Sequence, residues 1–296
     1  MRNLLVLAAI LITLLCMSVF AQAGTTIITQ LLPSSPTPVA GSWYQSDVRV
    51  GGTASIVSLT GLGGNLESGQ PLPTGAAKLT TDFTNAAKAE VGTFDDFGLA
   101  SWLSDSSFSV GYDYYKQTVA GGNAYVAPSI KLTIYAAGGT GDNYGTLVYE
   151  PSWNIAGTTG STAVPTDEWR SVSINNLTGA GADGYGGWWW NGGFEQPNGG
   201  GGTPIRSLSE WVSAFQSSDA TDFANAHIIG LSMGVGTYNQ GQIGYFDNVS
   251  IKVGNIDVVY DFEKDAPAAV PEPATLLGFG IPMLMVGLGK LKSLRK

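Results

Sequence analysis

Ile243-Gly244-Tyr245-Phe246-Asp247-Asn248-Val249-Ser250-Ile251-Lys252-Val253 and Ile256-Asp257-Val258-Val259-Tyr260-Asp261-Phe262 are two runs joined by Gly254-Asn255. Both are rich in β-branched and aromatic residues, and a short Gly-Asn joint between such runs signals a hairpin. Other segments carry the same period of two. Ile130, Leu132 and Ile134 face one way, while Lys131, Thr133 and Tyr135 face the other. Trp169 to Ile174 makes a similar strand. In the segment from His227 to Gly236, His227, Ile229, Leu231, Met233 and Val235 share a face. Opposite them stand Ile228, Gly230, Ser232, Gly234 and Gly236, and a face of Gly and Ser lets another layer or a ligand come close.

One helix is expected. Ser207 and Glu210 form a capping box, and Leu208, Trp211, Val212 and Phe215 follow at helical spacing. The stretches 61–75, 137–143 and 179–202 are turn-rich, and no internal repeat is evident. The expected fold is all-β: a single antiparallel β-sandwich, jelly-roll-like, with one short helix.

Composition agrees. The 296 residues include 41 Gly, and only 12% are charged. The expected organisation is a signal peptide at 1–23, the sandwich at 24–265, a Pro-rich linker at 266–273, and a membrane-spanning helix with a basic tail at 274–296. The body then holds nine basic and 22 acidic residues, a balance of −13. Such a surface repels phosphate backbones and excludes nucleic acid as a partner. The single Cys16 lies in the N-terminal apolar run. Leu15 before it lacks the small side chain that lipoprotein processing needs. With the leader removed, disulfides, Cys-built zinc sites and thiol nucleophiles are all excluded.

The N-terminus has the three parts of a secretory signal: Arg2, the apolar stretch from Leu4 to Cys16, and the small residues Ala21 and Ala23. Signal peptidase is therefore an expected partner, cutting after Ala23. The C-terminus reads Val270-Pro271-Glu272-Pro273-Ala274-Thr275, then an apolar run to Gly289, then Lys290, Lys292, Arg295 and Lys296. Positive charge holds such an end in the cytoplasm. This order resembles the PEP-CTERM sorting segment of Gram-negative bacteria. The resemblance implies processing by an exosortase, passage through the inner membrane during sorting, and a link to exopolysaccharide and biofilm. Pro271, Glu272 and Pro273 would be the recognition motif, and the protein would reside at the cell envelope, cell surface or extracellular matrix. Pro282 interrupts the span, and a plain tail anchor is the alternative.

A second resemblance covers the body. Gly244 to Ile251 looks like the late strand of carbohydrate-binding-type jelly rolls, with Gly75-Ala76-Ala77-Lys78-Leu79 and Glu168-Trp169 leading into other strands. It implies a structural calcium ion near Asp247; the alternative is that Asp247 only bonds turn backbone. No other cofactor is expected.

Tyr185-Gly186-Gly187-Trp188-Trp189-Trp190-Asn191 is the most unusual stretch. Three consecutive Trp cannot all face one core in an extended strand. Exposed aromatic faces stack on sugar rings, and neighbouring amides bond hydroxyls. Tyr185, Trp188, Trp189, Trp190 and Asn191 are therefore candidate residues for a polysaccharide ligand. Alternatively, the tryptophans cap an open end of the sandwich.

No catalytic residue is assigned. His227 is the only His and reads as a core residue. The carboxylate pairs Asp95-Asp96 and Asp167-Glu168 are ordinary turn acids. Three functions remain: a non-catalytic, glycan-binding surface protein, a secreted polysaccharide-acting enzyme, and a purely structural envelope protein.

Overall fold

Gly254-Asn255 closes the hairpin, with Val253 opposite Ile256. Gly254 has φ +55°, and a side chain there would drive its Cβ to 2.6 Å from the Trp102 ring. The computed structural model describes residues 24–139, 142–156, 160–179 and 186–264. Ala21, Ala23, Tyr185, Pro271, Glu272, Pro273 and the expected span lie outside the described residues. Among the described residues no helix is long and apolar enough to cross a membrane.

The strands form two facing sheets. The first runs β1 (Gly24–Ile28), β14 (Ile256–Phe262), β13 (Gln242–Val253), β5 (Gly75–Thr81) and β4 (Gly52–Ser58). On its other side β13 pairs with β7 (Ser109–Lys116), which pairs with β10 (Trp169–Asn175). The second sheet runs β11 (Trp189–Gly192), β9 (Tyr144–Tyr149), β8 (Ser129–Ala136), β12 (Ala226–Val235), β6 (Ala89–Phe94), β3 (Tyr44–Gln45) and β2 (Leu32–Pro33). Pairing is antiparallel except for β1 with β14 and β2 with β3. From β5 onward the chain crosses repeatedly between the sheets, which makes a jelly-roll-like β-sandwich.

The inner faces interdigitate. Ile130, Leu132 and Ile134 of β8 and Leu231, Met233 and Val235 of β12 meet Tyr112, Phe246, Val249 and Ile251 across the gap. Each fully buried aliphatic side chain here contributes roughly 1.5–3 kcal/mol. Trp43 packs edge-on to Phe262, with ring centroids 4.9 Å apart.

The expected alternation of β12 holds only from Leu231 onward. A bulge between Ile228 and Gly230 inserts one residue. Because side chains alternate with period two, that insertion exchanges the faces of everything before it. Ile228 is buried. His227, expected on the core face, is 39% exposed, and its Nδ1 lies 2.7 Å from Asp96 Oδ1.

The capping box forms as read. Ser207 N donates to Glu210 Oε2 at 2.8 Å, and Glu210 N donates to Ser207 Oγ at 3.3 Å. They start α2 (Leu208–Ser218), which buries Leu208, Trp211, Val212 and Phe215. Two single-turn helices accompany it: α1 (Gly64–Ser68), in a stretch expected to be turns, and α3 (Ala220–Phe223). In α1, Leu66 joins Leu59, Ala76, Tyr115 and Tyr245 in a separate apolar cluster on the outer side of the first sheet. The first sheet is thus covered on that side, while the outer face of the second carries a cleft.

Candidate functional site

Strand alternation builds the cleft floor. With Leu132 and Ile134 turned inward, Lys131 and Thr133 face outward. Cross-strand pairing extends each outward residue into a row. One row is Gly92, Ser232, Lys131, Val148 and Trp189; the next is Phe94, Gly230, Thr133, Thr146 and Asn191. The glycines of β12 make room for their neighbours: a Cβ at Gly234 would lie 3.1 Å from the Glu90 side chain, and one at Gly230 would lie 3.3 Å from Phe94. The cleft encloses about 1040 Å³.

Aromatic groups stand around it. Tyr125 and Tyr238, on loops next to β8 and β12, and Trp153, in a 3-10 turn just after β9, line one end. Tyr144, at the start of β9, lines the other. Tyr125, Tyr144 and Tyr238 are 52%, 55% and 67% exposed, so their ring faces can meet a ligand.

The three tryptophans separate as strand geometry demands. Trp188 and Trp190 are fully buried. This corrects the reading of both as ligand contacts: in the folded chain they touch core, not solvent. The Trp190 ring packs on Phe215, and its Nε1 donates to Gly193 O at 2.9 Å. Trp188 lies 5.4 Å from the Tyr149 ring, and its carbonyl accepts from Trp211 Nε1 at 2.8 Å. Trp189 alone turns into the cleft. Asn191 is exposed on the same wall, and its Oδ1 accepts from Asn198 Nδ2 at 2.6 Å. Tyr185 lies outside the described residues.

A chain of charges of alternating sign crosses the floor. Arg49 Nη2 lies 2.7 Å from Asp47 Oδ2, and Lys88 Nζ lies 2.8 Å from the same atom. Lys88 also reaches Glu90 Oε2 at 3.0 Å, and Lys131 bonds that oxygen from the other side. The Arg49 bond, helped by Lys88, holds the Asp47 carboxyl down at about 2 against the effect of burial. Burial works to raise Glu90, but Lys131 and Lys88 outweigh it and keep this carboxyl below its ordinary value. Glu150, also on the lining, goes the other way. Burial raises it, and Lys131 and the indoles of Trp189 and Trp153 offset this only in part. Trp189 Nε1 makes no hydrogen bond of full geometry, so its influence on Glu150 is that of a nearby dipole.

Sequence reading missed these charges and the tyrosines. The charges span 47–150, on four different stretches, and no local spacing links them. Lys131 was legible as outward-facing; its partners were not.

Asp247 lies away from the cleft, where β13 changes neighbour from β5 to β14. Its Oδ1 accepts from Phe262 N at 2.9 Å, so it fills the gap between two strand ends rather than closing a turn. Burial pushes its carboxyl up to about 8 and that of Asp261 to about 6. Glu263 is buried beside them, and its Oε2 accepts from Thr74 Oγ1 at 2.5 Å. Asp247 Oδ2, Asp261 Oδ1 and Glu263 Oε1 are buried without a hydrogen-bond partner. Orphaned carboxylate oxygens suit a hard cation. Yet among the described residues no three His, Cys, Asp or Glu side chains form a group able to hold a metal by themselves. An ion here would need backbone carbonyls or water to complete its shell.

The pairs Asp95-Asp96 and Asp167-Glu168 do not line the cleft. Asp96 bonds His227, Asp167 Oδ1 accepts from Thr118 N at 2.9 Å, and Glu168 pairs with Arg170 at 2.6 Å.

No protein-family model matches the sequence, and no curated protein does. Among solved structures, a Family 11 carbohydrate-binding module from Clostridium thermocellum, in complex with a β-1,3-1,4-mixed-linked tetrasaccharide, is 10% identical with a TM-score of 0.34; the alignment covers 77% of this chain and 98% of the module. TmCBM61, in complex with β-1,4-galactotriose, is 11% identical with a TM-score of 0.31, over 72% of this chain and 88% of the module. A carbohydrate esterase of the Shiga toxin-encoding bacteriophage phi24B is 15% identical with a TM-score of 0.34, over 72% and 90%. Likeness at this level does not say what the present chain binds.

Proposed function

We propose that the body of this chain binds a polysaccharide, without catalysis, in the cleft on the outer face of the second sheet. The supporting observation is Trp189: it is the single tryptophan of the triplet turned into a cleft that also carries exposed tyrosines at both ends. Stacking on sugar C–H faces, with bonds from Asn191, Thr133 and Thr146 to hydroxyls, is the recognition such a lining can make. Isothermal titration of the protein with soluble glucans, galactans and mannans tests this. Trp189→Ala should weaken binding tenfold or more, and an unchanged affinity would remove the assignment.

Hydrolysis of the bound chain is a second reading. It draws on Glu90 and Glu150, two carboxyls of one cleft whose ionisation is pushed in opposite directions. Release of reducing ends from any bound polymer, abolished by Glu150→Gln, would favour it over pure binding.

The proposed address is the cell surface or extracellular matrix. It rests on the leader ending at Ala21 and Ala23 and on the motif Pro271, Glu272, Pro273. Signal peptidase and an exosortase would be the processing partners, and exopolysaccharide or biofilm the setting. Mass spectrometry of the mature protein should find Gly24 first and the segment beyond Pro273 missing; full-length tails at steady state would count against processing.

A structural calcium ion is proposed at the Asp247 corner. Asp247 and Glu263 would supply carboxylate oxygens, and the ion would tie the start of β5 and the end of β14 to the middle of β13. Loss of thermal stability on chelation is the check.

A further inference from the structure

From the charge pattern of the cleft we infer that its ligand is an uncharged polysaccharide, recognised through hydroxyl pairs and ring faces. This rests on the glycan-binding reading and narrows it to one chemical class.

The cleft is full of charge, and that first suggests a charged ligand. Three of the body's nine basic residues, Arg49, Lys88 and Lys131, stand on its lining. A uronate or sulfated polymer would need at least one of them free. None is. Arg49 grips Asp47 with two bonds, Nε to Oδ1 at 2.9 Å and Nη2 to Oδ2 at 2.7 Å. Lys88 lies between Asp47 at 2.8 Å and Glu90 at 3.0 Å. Lys131 is held by Glu90. The side chains of Lys88, Glu90 and Lys131 are only 12–16% exposed, so these pairs are shielded from water and from salt. An anionic sugar aiming at Lys88 or Lys131 would have to break a shielded pair and leave the buried Glu90 carboxylate alone, which costs more than it returns. The Arg49–Asp47 pair is more open to water, at 50% and 33% exposed, and is held by its bidentate geometry. The same cost meets a cationic sugar aiming at Glu90.

A hydroxyl meets no such obstacle. It is donor and acceptor at once, and each pair offers both. Lys131 has three N–H donors, and Glu90 takes one of them. Such bonds to ionised groups are stronger than bonds between neutral groups. The row beside Lys131 adds Thr133, Thr146 and Asn191, all uncharged. The tyrosines at the cleft ends offer ring faces without charge. Beyond the cleft, the body's nine basic against 22 acidic residues repel any polyanion before contact.

The test is affinity electrophoresis and titration of the full-length chain with a panel of soluble polymers. Neutral members are mixed-linkage β-glucan, galactan and mannan; polygalacturonate and alginate are anionic, and chitosan is cationic. The expected result is binding to at least one neutral polymer, tenfold or more tighter than to any charged one. That affinity should change less than twofold between low and high salt. Glu90→Gln, which leaves Lys88 and Lys131 in excess, should raise affinity for polygalacturonate. Preferential, salt-sensitive binding of a charged polymer would overturn the inference while leaving the cleft as a glycan site, provided Trp189→Ala weakens it. Failure of every polymer to bind folded protein would remove the glycan reading, and this inference with it.

Discussion

Trp190 and Phe215 pack with their ring centroids 4.7 Å apart, and this contact between β11 and α2 sets the direction of Trp189. With Trp190 anchored inward, strand alternation leaves its neighbour only the outer face. The capping box starts α2, α2 presents Phe215, and Phe215 holds the strand that carries the cleft tryptophan.

Trp189 and Trp190 should therefore respond oppositely to the same substitution. Trp190→Ala removes a fully buried indole and should cost about 3–5 kcal/mol in urea unfolding. Trp189→Ala should cost far less stability yet abolish most polysaccharide affinity. Equal loss of stability in both variants would contradict the assignment of their faces.

Ser207→Ala deletes the side-chain acceptor of the capping box. About 1 kcal/mol of stability should go with it. Because Ser207 does not line the cleft, binding measured well below the unfolding midpoint should stay within twofold of the parent.

Asp47 makes stability depend on acid. Its folded-state carboxyl is held at about 2, below its ordinary 3.8, first by Arg49 and then by Lys88. A depressed acid stabilises the fold above its unfolded value. That contribution is lost as pH falls from 3.8 through 2. The urea midpoint of the parent should thus drop more steeply than that of Asp47→Asn over this window. Parallel slopes would show that Asp47 is no better held in the fold than in the unfolded chain.

The Asp247 corner yields a metal-dependent expectation. Calcium at a hundredfold its dissociation constant should add about 2.7 kcal/mol to the parent. Asp247→Asn keeps an oxygen for the Phe262 N–H but loses the charge, so its melting temperature should ignore both calcium and chelator. A parent indifferent to calcium would remove the ion from this site.

Much of the scaffold was readable along the chain. The hairpin at Gly254-Asn255, the alternation of β8 and the cap of α2 each depend on residues a few positions apart, and local backbone geometry decides them. The first half of β12 was not readable. Its bulge between Ile228 and Gly230 answers to pairing with β8, and one inserted residue turned His227 from the core to the surface.

The site divides in the same way. By itself, the sequence determined that one of three adjacent tryptophans must face away from the other two, because side chains alternate along a strand. Only the tertiary structure decided that Trp189 is that one, since Phe215 comes from a helix about 25 positions later. The charge chain from Arg49 to Lys131 is likewise a tertiary product. Its members come from β6 and the residue just before it, from β8 and from the segment before β4, and strand pairing, not chain spacing, brings them to bonding distance.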